Sequence, residues 1–172
     1  MDDKKQLIFK EFEQHLLQDS QPSGYFNSLL DKDWFINDYP YTILSGLQKV
    51  PQSPEHHPEG NVWNHTMLTI DEASRYKGES QDPAVFMWAA LLHDVGKAPT
   101  TRIRKGRITA YDHDQAGEKL ARDFLKYFQV SPGFLKKVTA LVRWHMQPLF
   151  VSKNLPFADI ASMLKEVELR EV

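Results

Sequence analysis

Pro83-Ala84-Val85-Phe86-Met87-Trp88-Ala89-Ala90-Leu91-Leu92-His93-Asp94-Val95-Gly96-Lys97 is the stretch that decides how this chain is read. Asp82 and Pro83 form a cap followed by a first-turn proline, and the run from Ala84 to Leu92 is apolar on every side, which predicts a helix buried at the centre of the fold. That helix ends where two ionisable residues arrive together, His93-Asp94, followed at once by Gly96 and Lys97. Burying an imidazole beside a carboxylate is costly unless something charged binds them. Taken alone, the tetrapeptide leaves two readings open: a metal-binding pair, or a helix end at which His93 caps carbonyls and Asp94 pairs with Lys97.

Working outward, apolar residues recur at helical spacing through most of the chain, as in Leu7, Ile8, Phe12 and Leu16, and the fold class expected is all-α. A short helix is expected from about Pro22 to Leu30. Three prolines in residues 50–60 break any helix there, and Asn61 then caps a helix that runs to about Tyr76 and is ended by Gly78. Arg102-Ile103-Arg104-Lys105-Gly106-Arg107-Ile108-Thr109 predicts a small hairpin or ordered loop turning at Lys105-Gly106. A helix resumes near Asp112 with Ala116, Leu120, Phe124 and Phe128 on one stripe. Ser131-Pro132 opens another, stopped by Pro148, and a last one runs from about Asn154 through Phe157, Ile160, Met163, Leu164 and Val167 to Val172. One domain is expected, residues 1–172, with 1–50 as an N-terminal helical extension packed on it and a C-terminus that falls within a helix.

Two further histidines sit on inward faces of such helices. His65 shares a face with Val62, Thr66 and Ile70, and His145 lies one turn beyond Leu141 and two beyond Val138. A single histidine of this kind is more often a satisfied core residue. Three helices each aiming a histidine inward, plus an aspartate, make an imidazole and carboxylate set suited to one or two ions of Mn, Fe, Co, Ni, Zn or Mg.

Composition removes several classes of function. With no cysteine in 172 residues, thiol catalysis, disulfides and thiolate-held metals are excluded. The net charge of −2 gives no global pull toward nucleic acid, so no DNA partner is expected and any polyanion contact must be local. No apolar run reaches the roughly 20 residues of a membrane span and the N-terminus lacks a signal-peptide core, so a cytoplasmic location is expected.

The ordered pattern of His65 and His93-Asp94 within helices resembles the HD superfamily of metal-dependent phosphohydrolases. The likeness is closer to the HD domain of bacterial CCA-adding tRNA nucleotidyltransferases. It is carried by Val50-Pro51-Gln52, by Pro54-Glu55-His56-His57-Pro58-Glu59-Gly60-Asn61-Val62-Trp63-Asn64-His65-Thr66, by Ala90 to Lys97, and by Gly106-Arg107-Ile108-Thr109 with His113-Asp114-Gln115-Ala116-Gly117. It covers roughly Phe12 to Pro148 and lacks the polymerase head, so nucleotide addition is not expected.

The resemblance implies that His65, His93 and Asp94 are core metal ligands, that His113 and His145 serve a second ion, and that Asp94 bridges the two. It also implies a closing aspartate on a late helix, for which Asp159 or Glu166 stands in, or which lies beyond Val172. A divalent ion held there would lower the pKa of water from 15.7 toward about 7 and polarise a phosphoryl oxygen. Asp94 and Lys97 are the candidate catalytic residues, and Lys97, Arg102, Arg107 and His57 the candidate substrate-binding ones. Arg102, Arg104, Lys105 and Arg107 either bind a nucleotide or RNA phosphate or form a solvated basic face. His56, His57 and Glu59 either line the site entrance or are exposed loop residues, and Asp114 is either a partner that orients His113 or a first-turn acid. The activity expected is hydrolysis of nucleotide or RNA-end 2′,3′-cyclic phosphate esters. The alternatives are a non-catalytic RNA-binding or regulatory module and a di-iron oxidative enzyme.

Overall fold

The computed structural model describes residues 2–172 and shows an all-α bundle carrying one two-stranded hairpin. Helix α1 (Asp2–Gln18) packs on the central helix, where Phe9 stacks on Trp88 with ring centroids 4.7 Å apart, and Phe12 is fully buried among Phe26, Phe35 and Trp88. The helix expected over 22–30 is split. Helix α2 (Ser23–Ser28) passes into a 3-10 turn over Leu29–Asp31, and two short helices follow, α3 (Asp33–Asn37) and α4 (Thr42–Ser45). Gly24, Asn27 and Ser28 have weak helix propensity, and the aromatic core rather than local preference sets how far α2 extends.

Loop 50–61 is closed at its base. Gln52 N donates to Gly60 O and Val62 N to Val50 O, and Gly60 supplies the φ of 101° that the return requires. Asn61 Oδ1 then accepts from Asn64 N at 2.8 Å to open α5 (Val62–Tyr76). Asn61→Ala is expected to lower stability by about 1 kcal/mol, read by denaturant unfolding. Helix α5 ends at Tyr76, as expected, and Gly78 follows inside a 3-10 turn over Lys77–Glu79 without a positive φ, so it is not a left-handed cap.

Helix α6 (Pro83–Leu92) is the buried centre that its sequence predicts, capped by Asp82 and with Trp88, Leu91 and Leu92 fully enclosed. Beyond His93-Asp94 come α7 (Lys97–Thr100) and the hairpin of β1 (Arg102–Arg104) with β2 (Arg107–Thr109). Its strands are antiparallel with Ile103 opposite Ile108. Its turn puts Lys105 and Gly106 both at positive φ, the pair of conformations that matches strand twist in a two-residue hairpin.

Helices α8 (His113–Tyr127) and α9 (Pro132–Trp144) complete the bundle, so that α5, α6, α9 and α8 are packed neighbours in that order. The buried stripe of α8 is Gly117, Ala121, Phe124, Leu125 and Phe128. It is rotated from the expected one, which had placed half-exposed Ala116 and Leu120 inside.

The C-terminal region departs most from expectation. Pro148 does not stop α9, which ends at Trp144; it sits in the first turn of α10 (Gln147–Ser152), where its missing N–H costs nothing. No single helix runs from Asn154 to Val172. Asp159 caps the short α11 (Ile160–Met163), a 3-10 turn covers Leu169–Glu171, and of the periodic apolar residues only Met163 and Val167 are buried. Apolar periodicity without a surface to pack on does not sustain a helix. Among the described residues, no helix is long and apolar enough to cross a membrane.

Candidate metal centre

Four imidazoles converge on one buried carboxylate. Asp94 is only 2% exposed, at the turn that follows α6, and its two oxygens face different histidine pairs. On one side, Asp94 Oδ2 lies 3.2 Å from His93 Nε2 and 3.6 Å from His65 Nε2; on the other, Oδ1 lies 3.4 Å from His113 Nε2 and 3.8 Å from His145 Nε2. The histidines expected on separate helices are therefore brought together, from the first turn of α5, the end of α6, the start of α8 and the end of α9.

In every one of the four rings the far nitrogen is already taken. His93 Nδ1 meets Ala90 O at 2.8 Å, His113 Nδ1 meets Ala110 O at 2.8 Å and His145 Nδ1 meets Val142 O at 2.7 Å, each the carbonyl three residues earlier. His65 Nδ1 is held by Glu59 Oε1 at 2.8 Å. Acceptors at Nδ1 place the proton there and leave each Nε2 lone pair directed at Asp94, the tautomer that a ligating histidine adopts.

The electrostatics agree with a cation site. Burial pushes the His65 and His113 imidazolium forms below their ordinary range, and burial together with the neighbouring His93 pushes His145 down to about 3, so these rings are neutral at pH 7. Burial alone would raise the Asp94 carboxyl, but His93 and the Lys97 ammonium beside it hold it well below the usual carboxylate range. His113 Nε2 and His145 Nε2 lie 3.2 Å apart, two lone pairs facing each other, and buried Asp94 Oδ2 has the Lys97 ammonium 2.7 Å away as its ion-pair partner but no aligned hydrogen bond among the described residues. Such an arrangement is unfavourable when bare. Two nitrogens at that spacing match neighbouring ligands about 2.1 Å from one ion. The groups His65-His93-Asp94 and Asp94-His113-His145 each bring three donor atoms close enough to hold a metal.

Lys97 Nζ sits 2.7 Å from Asp94 Oδ2 and donates to Gln52 Oε1 at 2.7 Å. Gln52 is a site residue that sequence reasoning did not single out. Its signal was slight, since a polar residue between Pro51 and Ser53 reads as ordinary loop. Glu59, expected only at the entrance, instead holds His65 and also meets His57 Nδ1 at 3.0 Å. Such carboxylate–histidine pairs orient a ligand ring and raise its basicity. Glu59→Gln is expected to weaken metal affinity by about 10- to 100-fold while leaving the helices intact, measured by competition against a chelator of known affinity.

Other expected residues fall elsewhere. A cavity of about 320 Å³ opens over Asp94 and is lined by His56, His57, Lys97 and the hairpin's Ile108 and Thr109, not by Arg102 or Arg107, which are exposed outside it. Asp114 acts on His113 through its charge rather than through a hydrogen bond to the ring, whose Nδ1 is held by Ala110 O; its carboxylate pairs with Arg143 and so ties the start of α8 to the end of α9, the two places from which His113 and His145 project. Neither stand-in for a closing carboxylate reaches the centre. Asp159 is exposed and caps Ser162 N, and Glu166 accepts from Trp144 Nε1 at 2.8 Å.

The family model of the HD domain matches residues 62–169, a span that contains all four histidines and Asp94. The chain belongs to the HD domain family. HD domains bind divalent metals and are typically metal-dependent phosphohydrolases. This HD domain is 38% identical over 82 residues to the Multifunctional CCA protein of Actinobacillus pleuropneumoniae serotype 5b (strain L20), covering 48% of the chain and 20% of that protein. It is 35% identical over 103 residues to the protein of that name from Halorhodospira halophila (60% of the chain, 23% of the relative). It is 27% identical over 138 residues to that from Thioalkalivibrio sulfidiphilus (80% and 32%). The chain thus spans between a fifth and a third of the length of these relatives. No solved structure matches. Gln52, His57 and Glu59 precede the matched HD segment, so the carboxylate that orients His65 comes from outside it.

Proposed function

We propose that this HD domain is a metal-dependent phosphodiesterase that hydrolyses nucleotide or RNA-end 2′,3′-cyclic phosphate esters at a metal centre that Asp94 and the four histidines around it would hold. The observation that carries the proposal is the division of Asp94: each oxygen is flanked by its own pair of imidazoles with Nε2 directed at it. His65, His93 and Asp94 would hold one ion, and Asp94, His113 and His145 the other. An all nitrogen and oxygen donor set suits Mn, Fe, Co, Ni, Zn or Mg rather than a thiophilic metal. When bound, a divalent ion supplies Lewis acidity to a phosphoryl oxygen and makes hydroxide available at neutral pH.

The chain's own groups then have definite tasks. Asp94, held ionised, offsets the cationic charge without taking up a proton. The carbonyls of Ala90, Ala110 and Val142 and the Glu59 carboxylate fix the rings, so no reorganisation is needed at the moment of reaction. Lys97, held at the cavity wall by Gln52, places an ammonium where a phosphate's charge must sit. The RNA-end class is supported by relatives named Multifunctional CCA protein, and the modest cavity fits one phosphodiester better than a long polyanion.

A second reading, a non-hydrolytic HD module, is favoured by one observation: neither Asp159 nor Glu166 adds a further carboxylate to the centre. One experiment separates the two. Metal content is measured by mass spectrometry on purified protein, together with hydrolysis of bis(p-nitrophenyl) phosphate and 2′,3′-cyclic AMP across divalent ions, for the wild type and His93→Ala/Asp94→Ala. Metal-dependent turnover that is lost in the double variant supports the hydrolase. Equal metal in both proteins, or no ester cleaved with any ion, sinks it.

A further inference from the structure

A second cavity, of about 560 Å³, lies beside the first and shares Thr109, Ala110, His113 and Met146 with it, so the two meet along the wall formed by the His113 ring. Its lining includes two strongly exposed aromatic rings, Tyr111 at 63% and Phe157 at 65%. One exposed ring is ordinary on a protein surface; two lining the same cavity next to a cluster of donor atoms are not. Neither ring is left loose. The Arg104 guanidinium lies 5.1 Å from the Tyr111 ring centre, and Phe157 packs edge-on against Phe150 at 5.7 Å. The backbone around Phe157 is clasped by buried Gln147, whose Oε1 accepts from Asp159 N at 2.7 Å and whose Nε2 donates to Phe157 O at 3.5 Å.

The charge of this cavity argues against further phosphates. Arg143 is the cation among its described lining residues and is already paired to Asp114, the nearby Arg104 guanidinium is engaged on the Tyr111 ring, and Asp112 and Asp159 add negative charge to the lining. A flat, uncharged group carrying N–H donors fits such a site, and a second phosphoryl group does not. Aromatic faces beside a phosphate site are also how proteins hold bases without reading their sequence.

We propose that this cavity binds the nucleobase of the phosphate ester that is cleaved at the adjoining metal centre, by stacking on Tyr111 and Phe157. The identity of the ester rests on the phosphohydrolase reading; the existence of the base subsite does not. It selects nucleoside phosphate esters, 2′,3′-cyclic ends included, over sugar phosphates and over nucleoside polyphosphates.

The test is calorimetric binding of adenosine 3′-monophosphate and of inorganic phosphate to manganese-loaded protein, for the wild type, Tyr111→Ala, Phe157→Ala and Tyr111→Phe. The wild type should bind the nucleotide about 10-fold more tightly than phosphate. Each alanine variant should lose most of that advantage with phosphate affinity unchanged, and Tyr111→Phe should keep it. Both side chains are exposed, so melting temperatures should match the wild type. A nucleotide that binds no tighter than phosphate overturns the proposal, and so does an advantage retained in both alanine variants or a parallel fall in phosphate affinity. Failure of the hydrolase reading looks different: no ester is turned over with any divalent ion, yet the nucleotide preference and its loss in the variants persist.

Discussion

Asp94→Asn should purify with less than a tenth of the wild-type divalent metal and lose at least about 10³-fold in phosphodiester hydrolysis, with its helical circular dichroism unchanged. The amide keeps the shape of the carboxylate but removes the one negative charge that faces both histidine pairs. Removing a single preorganised donor from a transition state costs about 10² to 10³ in kcat, and this substitution weakens both ion positions at once. The same change leaves the Lys97 ammonium without its ion-pair partner at 2.7 Å, although Gln52 still accepts from it. The melting temperature in excess chelator therefore separates the two effects. If chelated wild type and chelated variant melt within a few degrees of each other while metal and turnover are lost, the loss belongs to the ion site. A variant that keeps its full metal content would rule out Asp94 as the shared ligand.

Gly96→Ala is the second large effect. A β-carbon at Gly96 would lie 1.9 Å from His113 O and 2.4 Å from Gly117 N, both backbone atoms that no side-chain rotation can move. Gly96 has an ordinary helical φ, so glycine is needed there for the closeness of α7 and α8 and not for an unusual backbone conformation. The added methyl must push the start of α8 away, and with it His113, whose ring faces Asp94 Oδ1. The expected cost is about 3 kcal/mol or more, a fall in melting temperature of about 10 °C for a domain of this size, and loss of metal at the His113-His145 position. Gly133→Ala is the control. It lies in the first turn of α9, where an added β-carbon would meet nothing within 4 Å, so it should change stability by less than about 1 kcal/mol. Equal effects of the two substitutions would remove the close-approach argument.

Much of the local structure was legible because it depends on neighbours in the chain. Asn61, Asp82 and Ser131 cap the helices that their side-chain chemistry predicts, each accepting from the N–H three residues on. Lys105-Gly106 turns the hairpin, and the uniformly apolar run of α6 is buried. The misread elements are those whose local signal is ambiguous. A proline can follow one helix or open the next, and Pro148 opens α10 because α9 has already ended at Trp144. The apolar spacing of residues 157–167 has the helical period, yet Phe157, Ile160 and Leu164 stay exposed, with Phe157 meeting only the edge of Phe150.

Residue type and order were enough to read an all-α fold and to single out His65, His93-Asp94 and His145, because ionisable residues on apolar helix faces stand out against their surroundings, while His113 and the HD family were read from the resemblance of whole motifs. Tertiary packing alone decided how those residues are used. It divided the histidines into two pairs across Asp94, brought Glu59 onto His65 and Gln52 onto Lys97, turned Asp114 toward Arg143, and left Arg102 and Arg107 outside the cavity. Each of these depends on a distance between segments far apart in the chain. Such distances follow from how helices pack, as at Gly96 where the backbone of α8 comes too near for any side chain, and no spacing along the sequence encodes them.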